Sequence, residues 1–411
     1  MPETLERPHF PTNIHASPRA LRNATSGVIF LHAIPVAVLL ILAYVVSRHG
    51  QLPYPDARFH YWDHYRYIAM SQHPFSADPL VRGAPFGWRI LTPLVVHILP
   101  LPVTTSFWLV TLCGLIGATL ALEWFLHGLG LQTSDVVWGA LAFVCLGATT
   151  GFALWTYLYV DSLAYALLAL VLACAVQRQG LLLLVTTVLL ALAKETAIFG
   201  AVFAVAWAVA QRDRSMTRWA VGALAACIVV LAALRYALPT DYSLLGSMHE
   251  VFATTGTSPS KILARLVLAT AGTWTILLPL AVLQLLHPPR IARSPAFILL
   301  VVLSTAQFLV ALNIERTVGY AFPAIIAASA FEVKYLAERL KVGTWIMWVL
   351  ALACELLWFV YDAGFPLSHY PAPLKALAFA FVGVAAIIVG LFLGRLGQFN
   401  TPTRSSASAD I

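Results

Sequence analysis

Asp63 stands in the densest polar and aromatic stretch of this chain, ARFHYWDHYRYIAMSQHPFSADPLVRGAPFGWRILTP over residues 57–93. A carboxylate held at an aromatic, apolar surface is a candidate general base, because its charged form is disfavoured there and its affinity for a proton rises. Asp63 is equally placed to cap the helix that follows it, and the sequence leaves both roles open. Further ionisable residues punctuate apolar runs: Asp161 in YVDS, the Lys194-Glu195 pair in AKET and the Glu315-Arg316 pair in IERT. Charges at the ends of apolar helices need partners, a polar cavity or a ligand. One shared site is the economical expectation, and ordinary interfacial charges are the bland alternative.

The elements that must position these residues are helices in a membrane. Hydrophobic residues make up 60% of the 411 and charged residues 10%, with a mean hydropathy of +0.82. Apolar runs recur along the chain at about the 20 residues that cross a bilayer's hydrocarbon core. The pattern predicts an all-α polytopic protein with about twelve spans, near 27–47, 104–126, 136–156, 161–177, 181–193, 196–210, 219–237, 265–287, 296–312, 319–335, 344–361 and 374–393. A tail over 1–26 precedes this transmembrane region, 27–393, and a short polar tail over 394–411 follows it. The first run is too deep and too long for a cleaved signal. All five cysteines fall in apolar runs, where a thiol behaves as a small hydrophobe, so no disulfide and no thiolate metal site are expected.

Arg178, Arg212, Arg214, Arg218, Arg290, Arg293, Lys334, Arg339, Lys341, Arg395 and Arg404 fall on one side of the predicted bundle. By the positive-inside rule that side is cytoplasmic. Asp56, Asp63, Asp78, Asp161, Lys194, Glu195, Asp241, Glu250, Glu315, Arg316, Asp362 and His369 then emerge opposite. The net charge of +7 is spread along the loops, which fits an anionic inner leaflet and not a nucleic acid.

Two local features sharpen this picture. The apolar stretch from Leu181 to Ala210 would be about 45 Å long as one straight helix, too long for a bilayer. Two half-length passes meeting at Lys194-Glu195-Thr196, or one tilted helix with Lys194 reaching for the interface, both solve the mismatch. The long first outer loop, 48–103, has helical spacing at 65–70 and 88–99 with Trp62, Tyr65, Tyr67 and Trp88 along its edges, as interfacial helices do. Glu355 lies mid-span and is expected to be packed and paired or protonated, whereas Glu123 and Asp135 are expected to be solvated helix ends.

WDHYRYIAMSQHPF followed by APFGWRILTPLV resembles the first-loop signature of the GT-C superfamily of polytopic glycosyltransferases. YVDSLAYALLAL at 159–170, LLALAKETAIFGAVF at 189–203 and ERTVGYAFPAII at 315–326 resemble further pieces of that superfamily in the expected order. The nearest likeness is to bacterial cell-surface glycopolymer transferases, and a more distant one is to mannosyltransferases of the anchor-lipid pathway. The resemblance implies transfer of a sugar from a polyprenyl-phosphate donor to a glycan, lipid or protein acceptor, with inversion, at the extracytoplasmic face of a bacterial plasma membrane. It implies Asp63 as catalytic base, Asp161 as a second catalytic residue that orients the acceptor or holds a cation, and Lys194, Arg316 and Arg89 at the leaving phosphate. Tyr65, Tyr67, Glu195 and Glu315 would complete the substrate site. The first loop has no paired acids, so no metal ligand is assigned; a divalent cation at His60, His64 and Asp63 is the minor alternative. A secondary transporter or flippase for a lipid-linked sugar, and a non-catalytic scaffold, are the competing classes.

Overall fold

The computed structural model describes residues 25–49, 63–76, 78, 81, 86–238, 244–255, 258–309 and 314–362. Asp56, His60, Asp241, His369, both tails and the expected span 374–393 lie outside them, as do the side chains of Glu250, Glu315 and Asp362. Among the described residues every regular element is helical. In chain order the helices are α1 (Thr25–His49), α2 (Asp63–Gln72), α3 (Leu91–Ile98), α4 (Val103–Gly128), α5 (Thr133–Val144), α6 (Phe152–Trp155), α7 (Asp161–Val176), α8 (Gly180–Ala193), α9 (Ala197–Ala210) and α10 (Arg214–Ala237). They continue with α11 (Leu244–Thr255), α12 (Pro259–Trp274), α13 (Leu277–Leu283), α14 (Pro295–Ala306), α15 (Ile314–Val318), α16 (Phe322–Leu340) and α17 (Thr344–Asp362).

Three helices are long and apolar enough to cross a bilayer, within Leu31–Arg48, Val103–Gly128 and Arg214–Ala237. A fourth span arises if α5 and the segment Gly147–Trp155, bent by 49° at a short break, count as one. About twelve spans were expected, so the described residues correct that count downward. The reason is length: α7, α8, α9 and α14 are apolar but shorter, and the 14 residues of α8 or α9 extend only about 21 Å. The expected span 265–287 is also interrupted at Thr275, which separates α12 from α13. α1 and α10 are the most peripheral of the long helices, with Ile41, Tyr44 and Val229 among their exposed apolar side chains.

The centre of the bundle is the pair α4 and α7, which lie against each other along their lengths. Small residues make that approach possible. A Cβ added at Gly114 would sit 2.7 Å from the Ser162 carbonyl carbon, and one at Gly117 would sit 3.4 Å from the Ala166 Cβ. Helices in a bilayer gain little from hydrophobic exclusion and rely on such close packing. α9 and α14 close over the pair, with the rings of Phe125, Phe203 and Phe297 in mutual contact at 5.7–6.2 Å.

α8 and α9 are separate helices, with Lys194 between them in extended backbone (φ −167°, ψ 148°). The single tilted helix is therefore not what forms. Lys194 ends α8 near Asp161, at the start of α7; Asp213, beyond α9, pairs at 3.4 Å with Arg178, at the end of α7. The two half-length helices thus run out and back along α7, and Lys194-Glu195-Thr196 forms their tip.

The loop helices are seated on protein. His64, Tyr67, Ile68, Met70 and Ser71 are the buried residues of α2. Tyr67, Ile68 and Met70 join Val96, Phe107, Val110 and the Tyr157–Val160 turn in a second, smaller core. His97 Nδ1 bonds the Ser71 carbonyl at 2.8 Å, tying α3 to α2. Trp88 donates Nε1 to the Leu238 carbonyl at 3.2 Å, which fastens the preceding turn to the end of α10.

Candidate active site

Five chain segments bring charged side chains to the end of the bundle where α7 begins. Asp161 is the first residue of α7 and is 1% exposed. Its Oδ1 accepts from Lys194 Nζ and from Tyr320 Oη (2.6 Å), and its Oδ2 accepts from Arg316 Nε at 2.6 Å. Two cations and a phenol thus fill both oxygens of one buried carboxylate. The close approach at Gly114 presses the first turn of α7 onto α4, and Ser162 donates to Thr111 Oγ1 at 3.4 Å, whose own hydroxyl donates to the Tyr157 carbonyl at 2.9 Å. Asp161 is thereby a fixed point about which the cations arrange.

Arg316 reaches both aspartates. Its Nε faces Asp161, while its Nη1 donates to Asp63 Oδ2 at 3.1 Å. The guanidinium lies 4.5 Å from the Tyr159 ring and 5.8 Å from that of Phe152, and Lys194 Nζ lies 4.5 Å from the Tyr320 ring. Such contacts favour cations that have left water. Asp63 itself begins α2, where the positive end of the helix dipole favours its charge. Its side chain is 25% exposed, against 10% for Arg316 and 1% for Asp161. An apolar, aromatic wall was expected around Asp63; the structure also sets the Arg316 guanidinium against the carboxylate.

A second group adjoins the first. Arg89, 7% exposed, forks onto Glu195 through Nε (2.9 Å) and Nη2, and its Nη1 donates to Tyr67 Oη at 2.9 Å. Glu195 sits in the turn between α8 and α9 with 39% of its side chain exposed. Burial works against its charge, but the Arg89 guanidinium more than offsets that and holds the carboxyl below its ordinary value. Burial pushes the Tyr67 hydroxyl up to about 12 despite the nearby Arg89, so this phenol keeps its proton at neutral pH. Burial and the Asp63 charge likewise raise Tyr159. The rings of Tyr67 and Tyr159 meet edge to face at 6.1 Å and join the two groups.

The structure therefore brings together Asp63, Asp161, Lys194, Glu195, Arg316, Arg89 and Tyr67. Tyr65, half-buried, packs its ring against that of His64 at 4.5 Å, and the side chain of Glu315 lies outside the described residues. Tyr320 and Tyr159 were not anticipated. Their signals were present, since Tyr320 follows Arg316 by one helical turn in ERTVGY and Tyr159 stands two residues before Asp161 in YVDS. Asp63, Asp161 and Glu195 face Arg89, Lys194 and Arg316, three formal charges of each sign, so the cluster is close to neutral as it stands. Among the described residues no group of three or more His, Cys, Asp and Glu side chains is arranged to hold a metal ion.

Two expected surface acids are buried instead. Glu123 is 4% exposed and accepts from His32 Nδ1 at 2.9 Å, because α1 crosses the end of α4 and covers it. Asp135 is 2% exposed in the first turn of α5. Glu355 is fully buried and accepts from Thr275 Oγ1, in the break between α12 and α13. No protein-family model matches this chain, and no curated protein and no solved structure shows significant similarity to it.

Proposed function

We infer that this protein is an integral-membrane glycosyltransferase of the GT-C type, which moves a sugar from a polyprenyl-phosphate donor to an acceptor at the outer face of a bacterial plasma membrane. The observation that carries this reading is the pairing of a partly exposed carboxylate, Asp63, with a buried cation, Arg316, that is itself anchored to Asp161 beside Lys194. Sugar transfer from a phosphate needs both functions in one site. The acceptor oxygen attacks the anomeric carbon, its proton passes to Asp63, and the bond to the phosphate breaks with its electron pair leaving on the phosphate oxygen. Lys194 and Arg316 are the cations that stabilise the charge gained there, and the planar guanidinium suits two phosphate oxygens at once. Asp161, saturated by donors, serves as the positioning residue for both. Membrane lipids would surround the apolar helices, of which three are long enough to cross a bilayer, while α7, α8 and α9 are shorter apolar helices packed among them.

A carrier for a lipid-linked sugar would place its charged site near the midplane between two repeats. The charges here gather at one end of α7, opposite Arg178, which favours the transferase. The test is transfer by the purified protein from a polyprenyl-phosphate sugar to an acceptor, with the released polyprenyl phosphate quantified. Asp63→Asn is expected to lower turnover by about 100- to 10,000-fold with the fold intact, the usual span for a lost general base. Equal turnover by both proteins removes Asp63 from the reaction, and substrate flux into liposomes without any transfer supports the carrier.

A further inference from the structure

The cation best placed to receive a phosphate is already occupied, and by the residue assigned as base. Arg316 is held on three sides: Nε by the buried Asp161, one face by the Tyr159 ring and, further off, Phe152. Its Nη1 faces Asp63 across 3.1 Å, a longer contact than the 2.6 Å to Asp161, and Asp63 is the more exposed partner of the two. The guanidinium thus has one short contact to a fully buried carboxylate, Asp161, and one longer contact to a partly exposed one, Asp63.

We propose that Asp63 and the phosphate of an isoprenyl-phosphate ligand compete for Nη1 of Arg316, so that binding the phosphate releases Asp63 and makes it available as the base. The inference rests on the transferase reading and adds to it an order of events. Before the ligand arrives, Asp63 Oδ2 is engaged by Nη1 of Arg316 at 3.1 Å, so that oxygen is committed to the guanidinium. When a phosphate oxygen takes Nη1, the Asp63 oxygen that held it is released and can receive the acceptor's proton. Asp161 keeps Nε throughout, so the guanidinium stays in place while one of its partners changes. The arrangement couples base activation to occupancy and leaves the empty site without an activated carboxylate.

The competition is measurable without turnover. Binding of farnesyl phosphate and of inorganic phosphate is measured for the purified full-length protein, for Asp63→Asn and Asp63→Ala, for Arg316→Gln and for the double variant Asp63→Asn, Arg316→Gln. Removing a competing carboxylate is expected to tighten phosphate binding about tenfold, Arg316→Gln to abolish it, and the double variant to show no gain. A gain with both probes means that phosphate alone drives the exchange; a gain with farnesyl phosphate alone means that the lipid tail is needed to bring it there. Unchanged or weaker binding by folded Asp63 variants overturns the proposal. If the wild type transfers sugar and binds the probes while the variants gain nothing, only the exchange falls. If the wild type and every variant bind neither probe, the phosphate-site reading falls with it. A measurement that needs no variant covers the case of poor folding. Adding farnesyl phosphate to the wild type is expected to shift a carboxylate stretching band in the infrared difference spectrum, and a flat carboxylate region overturns the exchange.

Discussion

Arg89 and Glu195 form a two-pronged ion pair between the first outer loop and the tip of the α8–α9 turn, with Tyr67 on the remaining nitrogen of the fork. The pair ties the segment just before α3 to a helix turn 106 positions away in sequence. Arg89→Lys keeps the charge but not the planar fork, so it is expected to lose both the Tyr67 contact and one Glu195 contact. Thermal unfolding in detergent should show a lower midpoint for Arg89→Lys than for wild type. An unchanged midpoint would mean that the fork is incidental.

Because Arg89 holds the Glu195 carboxyl below its ordinary value of 4.5, the pair contributes stability that is present above that pH. The contribution is lost as pH falls through the lower value of the folded state. Glu195 is 39% exposed, so solvent screens the effect and the loss is modest. Unfolding midpoints recorded from pH 6 down to pH 3 should fall less steeply for Glu195→Gln than for wild type.

Asp161→Asn leaves Lys194 and Arg316 buried with their shared counter-charge gone. Breaking a buried ion pair from one side typically costs about 3–5 kcal/mol. The double variant Asp161→Asn, Lys194→Met removes one of the stranded cations and should recover part of that loss. Additive losses in a double-mutant cycle would show that the two side chains are not coupled.

Gly114→Ala should disturb the site from below. The added Cβ meets backbone atoms of Ser162 and Leu163 at 2.7 and 2.8 Å, which cannot rotate away. Overpacking of this kind costs about 1–3 kcal/mol, and it displaces the first turn of α7 that carries Asp161. Lower stability together with reduced transfer is expected, measured on the same preparation. Full transfer by Gly114→Ala would show that the α4–α7 approach does not set the position of Asp161.

His32→Ala strands the buried Glu123 at the other end of the bundle. A loss of about 1–3 kcal/mol in stability is expected for a buried acceptor deprived of its partner, with transfer unchanged in the folded fraction. A parallel loss of transfer would couple the two ends of the molecule.

Much of the site was legible because charges are rare in an apolar chain. Each of Asp63, Asp161, Lys194, Glu195 and Arg316 stands out against its neighbours, and the requirement that such groups find partners predicted a meeting point. Who pairs with whom was not legible. Asp63 meets Arg316 across 253 positions and Asp161 meets it across 155, and nothing local encodes either contact. The break at Lys194 was readable from the excess length of the apolar stretch and the extent of α7 from its expected bounds, whereas the early end of α14 at Ala306 was not, since apolar residues continue through turns as readily as through helices. Glu123 and Asp135 were misjudged for the converse reason: a helix end is solvated only if no neighbour covers it, and α1 covers Glu123 with His32.

The wide separation of Asp63 from Arg316 also has a bearing on biosynthesis. A ribosome that has delivered everything through α9 has made Asp161 and Lys194, enough for one ion pair, yet the guanidinium that engages both aspartates is still more than 100 residues from synthesis. The half-made chain therefore carries a stranded aspartate in its first loop and no complete centre. The cluster is completed only with α15, late in insertion, and no amino-terminal fragment can assemble it without its carboxy-terminal complement.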